Sequence, residues 1–217
     1  MTLRLYSYWR SSAAWRVRIA LELKGLPYDY LPVNLVRDGG EQHQAAYRTV
    51  NPQGRVPTLE YDELRITQSL AIIEWLEDTH PEPAILPSSP AGRARVRSLA
   101  HLIACDIQPL QNLSVTQYLR GVMQLSEEQV NRWLAEWIGR GMATLEMRLA
   151  QDAATGRFCH GDEPTLADAC LVPQCYASAR FGVNIAAYPT IARIQAACQD
   201  LPAFARAAPD RQPDAPG

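Results

Sequence analysis

Apolar and polar positions follow two periods in the first eighty residues and one period after them. Leu3 to Tyr8 reads as a strand. Ser11-Ser12 then offer an N-cap, and Ala13 to Lys24 repeats Val17, Ala20, Leu21 and Leu23 at helical spacing. Gly25 and Pro27 stop that helix. Tyr28 to Asn34 alternates as a second strand. A crossover helix between two strands predicts that they run parallel. A polar stretch, Arg37 to Ala46 with Gly39-Gly40, has room for a short helix. Asn51-Pro52-Gln53-Gly54 is a turn, and 56–61 and 64–67 form a hairpin around Asp62-Glu63. Gln68 to Thr79 is helical, with Leu70, Ile72, Ile73 and Leu76 as its buried stripe.

Pro81, Pro83, Pro87 and Pro90 break the pattern, and beyond them only helical spacing remains: roughly 91–120, 126–151, 165–180 and 189–200. The expected organisation is an α/β domain over 1–81, a linker over 82–90 and an all-helical domain over 91–217. The Pro- and Asp-rich end, Pro209 to Gly217, is expected to dock loosely or fray.

Composition narrows the functional classes. Of 217 residues, 47% are hydrophobic and 20% charged, enough for a core without metal or disulfide staples. A net charge of −2 gives no bulk attraction to nucleic acid, and no apolar run is long enough for a membrane span. The N-terminus enters a strand at once, with no signal-peptide pattern, so a cytoplasmic location is expected. Five cysteines without a CxxC, and four scattered histidines, point to neither disulfides nor metal.

Three places could hold a small anionic ligand. Arg10-Ser11-Ser12 stand where strand one hands over to helix one; the free N–H groups and dipole of a helix start favour an anion, and a thiolate is one. The same serines would equally serve as plain caps. Val56-Pro57 follows an Asn-Pro turn and invites a cis peptide, which would turn the Val56 backbone outward; an ordinary edge-strand proline is the alternative. Gln68-Ser69 open the helix after the hairpin as a carboxylate cradle or, again, a cap. Thr165-Leu166-Ala167-Asp168 is a capping box, which makes Asp168 a folding residue.

The order of these signals resembles the glutathione transferase superfamily: a βαβ–ββα unit with a proline before strand three, then helices. Tyr8-Trp9-Arg10-Ser11-Ser12-Ala13-Ala14-Trp15-Arg16-Val17-Arg18 is similar to the zeta-class signature. Val56-Pro57-Thr58-Leu59, Gln68-Ser69-Leu70-Ala71, Ile107-Gln108-Pro109-Leu110-Gln111-Asn112, Gly161-Asp162-Glu163 and Arg211-Gln212-Pro213-Asp214 agree with it, so the likeness spans nearly the whole chain. The resemblance implies a thioredoxin-like N-terminal domain, a helical C-terminal domain, a homodimer and glutathione as cofactor. The activity it implies is cis–trans isomerisation of a small dicarboxylate, maleylacetoacetate, in tyrosine and phenylalanine breakdown. Maleylpyruvate isomerisation and transfer to α-halo acids stay open. Carried over by position, Ser11 donates to the thiolate with Ser12 assisting, and the Val56-Pro57 backbone takes the cysteinyl part. Gln68 and Ser69 take the γ-glutamyl end, and Gln42 the glycyl end. Gln108, Asn112 and Ser114 line the site. Arg10 and Arg180 are candidates for the substrate carboxylates, with a surface ion pair as the alternative for either. One departure stands out. The family's Ser-Ser-Cys is Ser-Ser-Ala here, with Ala13 in third place. A mechanism using a protein thiol there is put in doubt; one using the serine is not.

Overall fold

A computed structural model of the chain describes residues 2–216. Its contacts divide it into two compact units, Met1–Ile85 with Gln199–Gly217, and Leu86–Cys198.

In the first unit, β1 (Leu3–Ser7), α1 (Ser12–Leu23) and β2 (Tyr28–Pro32) form the expected crossover. The strands are parallel from Leu3 opposite Tyr28 to Ser7 opposite Pro32. Two 3₁₀ turns (Arg37–Gly39, Glu41–His43) and a short α2 (Ala45–Arg48) occupy the polar stretch. β3 (Thr58–Tyr61) and β4 (Leu64–Thr67) make the hairpin, and α3 (Ser69–Thr79) follows. Among the described residues the sheet order is β2-β1-β3-β4, with β3 antiparallel to β1. Gly25 ends α1 at φ 63: Leu26 N donates to Leu21 O at 2.9 Å and Gly25 N to Glu22 O at 3.2 Å. That paired motif needs a left-handed residue, so glycine fits.

α1 is buried continuously from Ala14 to Leu21 because α3 packs on it and so does α9 (Pro202–Ala207). Ile19 and Leu21 are fully buried, each contributing about 2 kcal/mol by area removed from water. Lys24, at the end of α1, sits buried with its ammonium on Glu77 Oε2 at 2.8 Å, His80 O at 2.7 Å and Pro83 O at 3.0 Å. Glu77 Oε2 also accepts from Ile85 N at 3.1 Å, so this ion pair is compensated on both sides.

The end of the chain corrects two expectations. From Gln199 it belongs to the first unit rather than to the helical domain, and it is docked as far as Asp214. Pro209 and Gln212 are buried; Gln212 Nε2 donates to Arg206 O and Ala208 O at 3.0 and 2.8 Å. Asp214 accepts from Tyr30 OH at 2.6 Å and from Trp9 N at 3.1 Å. Prolines that break a helix also stiffen an extended segment, and a stiff segment loses less entropy on docking.

The second unit is helical: α4 (Pro90–His101), α5 (Leu113–Gly121), α6 (Glu127–Gln151), α7 (Leu166–Arg180) and α8 (Pro189–Gln199), whose last residue falls to the first unit. The expected 91–120 helix is interrupted by a π segment, Leu102–Ile107, and a 3₁₀ turn, Gln108–Gln111. Pro109 has no N–H to donate and its ring crowds the carbonyl four residues back, which fits the first positions of the 3₁₀ turn; α5 then starts from the Asn112 cap. α7 starts on the predicted box. Asp168, fully buried, accepts from Thr165 N and Thr165 Oγ1 at 2.8 Å each and from Cys159 N at 2.8 Å. Among the described residues no helix is long and apolar enough to cross a membrane.

Candidate functional site

The start of α1 is a helix end left partly open. Ser11 is its N-cap, and its Oγ accepts from Ala14 N at 3.3 Å. That bond uses a lone pair, so the hydroxyl proton is still available to a ligand. Ser12 and Ala13 are half-exposed first-turn residues whose N–H groups have no partner within the helix. Arg10 lies half-exposed at the lip, its guanidinium 5.9 Å from the Tyr8 ring centre and 5.3 Å from that of Trp9. Below, Arg18 is fully buried, donating to Ser7 Oγ at 3.1 Å, Tyr8 O at 3.4 Å and Trp9 O at 2.7 Å. Burial pulls its pKa down to about 10, which leaves it charged at neutral pH.

The Val56-Pro57 peptide is cis. The β1–β3 register begins at Tyr6 opposite Thr58, so Val56 stands just outside the ladder. Its side chain packs with Tyr8, Ala14, Val33 and Tyr47 in one cluster, which ties this strand end to the start of α1. Tyr47 OH and Asn51 Nδ2 both donate to Arg55 O at 2.7 Å, bracing the residue before it. Gln42 is buried, with Nε2 on Leu35 O at 3.2 Å; its Oε1 has no partner among the described residues.

At the start of α3, Gln68 adopts φ 69 and extends to Gln53 Oε1 at 2.9 Å. Ser69 is buried and its Oγ accepts from Arg16 Nη1 at 3.3 Å. Arg16 is 1% exposed, and its Nε and Nη2 have no hydrogen-bond partner among the described residues. A buried cation is costly unless compensated. Here it adds positive potential to a helix start, which suits an incoming carboxylate. The first unit therefore gathers Ser11, Ser12 and Val56 around one packed cluster, and ties Ser69 to α1 through Arg16. The open donors at the α1 start and the unmatched Arg16 nitrogens suit an anionic ligand.

Gln108, Asn112, Ser114 and Arg180 belong to the second unit. Gln108 opens the 3₁₀ turn, half-buried. Asn112 caps α5, its Oδ1 accepting from Ser114 N at 3.2 Å and Ser114 Oγ at 3.5 Å. Arg180 ends α7, exposed, 4.5 Å above the Phe181 ring centre.

The sequence reading missed Arg16, Arg18, Tyr30 and Asp214. The available signal was two arginines set inside the apolar run of α1, in a helix whose neighbours on both sides are themselves apolar.

Among the described residues no cluster of His, Cys, Asp or Glu could hold a metal. Burial pushes the Cys175 thiol up to about 12 and raises Cys159 and Cys198 as well, which silences them as nucleophiles.

Known proteins resemble the chain along its whole length. Residues 5–84 match the glutathione S-transferase N-terminal domain. Maleylacetoacetate isomerase of Pseudomonas aeruginosa is 51% identical over 99% of both chains. A maleylpyruvate isomerase solved in its holo form, described as a bacterial zeta-class glutathione S-transferase, superposes with a TM-score of 0.95 at 46% identity, covering 98% of this chain and 100% of that one. A maleylacetoacetate isomerase from Methylobacterium extorquens, solved with malonate and GSH bound, gives 0.94 at 44%, covering 99% and 100%. With that identity along its whole length, the chain belongs to the zeta-class glutathione transferases.

Proposed function

We propose that the protein isomerises maleylacetoacetate to fumarylacetoacetate with glutathione as cofactor, in tyrosine and phenylalanine breakdown, as a cytoplasmic homodimer. The observation that carries this reading is full-length identity to a maleylacetoacetate isomerase, on a fold whose α1 start is open to an anion. The five cysteines are free among the described residues and four are buried, which suits a reducing compartment. The homodimer rests on family resemblance.

Bound glutathione supplies a thiolate that can add to the cis double bond and leave once the bond has rotated. Ser11 would donate a hydrogen bond from its hydroxyl to that sulfur, with the Ser12 N–H assisting, and so would lower the thiol's pKa. The Val56 backbone holds the cysteinyl part beside Pro57. Gln68, Ser69 and the Arg16 charge hold the γ-glutamyl end, and Gln42 the glycyl end. Family resemblance gives Gln108, Asn112 and Ser114 a part in holding glutathione, and Arg10 and Arg180 a part in holding substrate carboxylates, where a planar guanidinium gives two parallel hydrogen bonds. Ala13 leaves this first turn without a thiol of its own, so the wager falls on Ser11.

The test is maleylacetoacetate isomerisation with and without glutathione. Turnover should be absent without it, and glutathione-independent turnover would overturn the reading. The 0.95 TM-score relative makes maleylpyruvate the competing substrate. The ratio of the two kcat/KM values decides between them, and a higher value for maleylpyruvate would replace the assignment.

A further inference from the structure

Trp9 is held by both of its backbone groups. Its N–H donates to Asp214 Oδ2 at 3.1 Å, and its carbonyl accepts from Arg18 Nη2 at 2.7 Å. The preceding carbonyl, of Tyr8, accepts from Ser11 N at 3.0 Å and Arg18 Nη1 at 3.4 Å. The backbone leading into Ser11 is thus held at Tyr8 and Trp9 by two side chains, those of Arg18 and Asp214. Both of those side chains lead to the end of the chain. Arg18 Nε donates to Ala207 O at 3.1 Å, at the close of α9. Asp214 Oδ1 accepts from Tyr30 OH at 2.6 Å, which pins it to β2. α9, Arg18, Trp9 and Asp214 form a closed ring of contacts inside the first unit. Gln212, on α9's last carbonyls, shapes the segment between.

We propose that Asp214 is a positioning residue for the thiol site: segment 208–214 is a strap that fixes the β1–α1 loop through Trp9 and so aims Ser11. The inference rests on the reading of Ser11 as the thiolate's donor. Its physical basis is that a hydrogen bond to a thiolate works only when donor and sulfur are held within about half an ångström of the productive geometry. A residue anchored only through a flexible loop would not keep that tolerance. An anchor that served folding alone could have grasped any side chain on the surface of α1. This one grasps backbone next to the candidate donor, at Trp9 N.

The readout is the pH titration of the bound glutathione thiol, followed by its ultraviolet thiolate absorbance, beside kcat and KM. Asp214→Asn removes the carboxylate charge and leaves an NH2 either against Trp9 N, where it cannot accept, or against Tyr30 OH, where a weaker bond with the hydroxyl as acceptor replaces the charged one, so it weakens the clamp while keeping the shape. Its bound thiol should titrate about one unit higher, a tenfold change in ionisation, with a matching fall in kcat at neutral pH. KM for glutathione should hold, because the cradle at α3 is untouched. Tyr30→Phe removes one partner of Asp214 and should shift both readouts the same way by less. Ser11→Ala is measured alongside. If it moves the titration and Asp214→Asn does not, the tail is a folding anchor only and the strap is wrong. If Ser11→Ala leaves the titration unmoved, the reading of the α1 start fails and takes the strap with it. Should Asp214→Asn fail to fold, Tyr30→Phe decides: a wild-type titration there overturns the proposal.

Discussion

Two helix starts look alike in sequence and differ in what they leave unused. Thr165 begins α7 in full burial, and the oxygens of Asp168 are occupied by Thr165 N, Thr165 Oγ1 and Cys159 N. Ser11 begins α1 half-exposed, with a 3.3 Å bond from Ala14 N to its Oγ and first-turn N–H groups left over. Both are caps. One is saturated by its own chain and the other stops short. A saturated start stabilises; an unsaturated one, kept open above a buried Arg18, has capacity for a ligand. The contrast also separates function from folding in terms that substitutions can read.

The largest effect should come from the saturated start. Asp168→Ala leaves Thr165 N and Cys159 N buried without an acceptor, at a cost of about 4 kcal/mol. Urea unfolding should show that loss, while kcat per folded molecule and KM for glutathione stay at wild-type values. A fall in kcat at unchanged stability would break the contrast, because Asp168 would then act on the chemistry.

Ser11→Ala should do the reverse. Losing the cap costs about 1 kcal/mol of stability. Losing a donor to the developing anion lowers kcat about a hundredfold, or about 2.7 kcal/mol of barrier. Equal losses in stability and activity would make Ser11 a cap like Thr165.

How much of this was legible in the sequence follows from which forces act locally. The βαβ unit and the hairpin show because strand and helix periods, Gly25 and the Asn51-Pro52 turn are short-range signals. The capping box at Thr165 shows for the same reason. α9 is only six residues long, too short for a periodic signal. Pro109 breaks a run whose apolar spacing continues past it, so the pattern alone reads as one helix. Arg16 and Arg18 escaped because a charged residue in a helix ordinarily faces water. Only the packing of both α3 and α9 on α1 buries them, and that is tertiary information. Asp214 escaped for a related reason: its partners lie far off in sequence, on Trp9 and Tyr30.

A third helix start tests whether openness alone marks a binding position. Ser69, at the start of α3, is buried, but it stands over Arg16, whose Nε and Nη2 are unmatched among the described residues. It is neither saturated like Thr165 nor open like Ser11; the spare capacity lies one layer down, in the cation. Ser69→Ala removes the acceptor for Arg16 Nη1 as well as a ligand contact. Stability should fall by about 1 kcal/mol. KM for glutathione should rise about tenfold, about 1.4 kcal/mol of binding, with kcat close to wild type, because a carboxylate anchor binds ground and transition states alike. The opposite split, an unchanged KM with a fallen kcat, would place Ser69 with Ser11 at the chemistry. The buried Arg16 would then have to be explained as part of the reacting centre rather than as the floor of a carboxylate cradle.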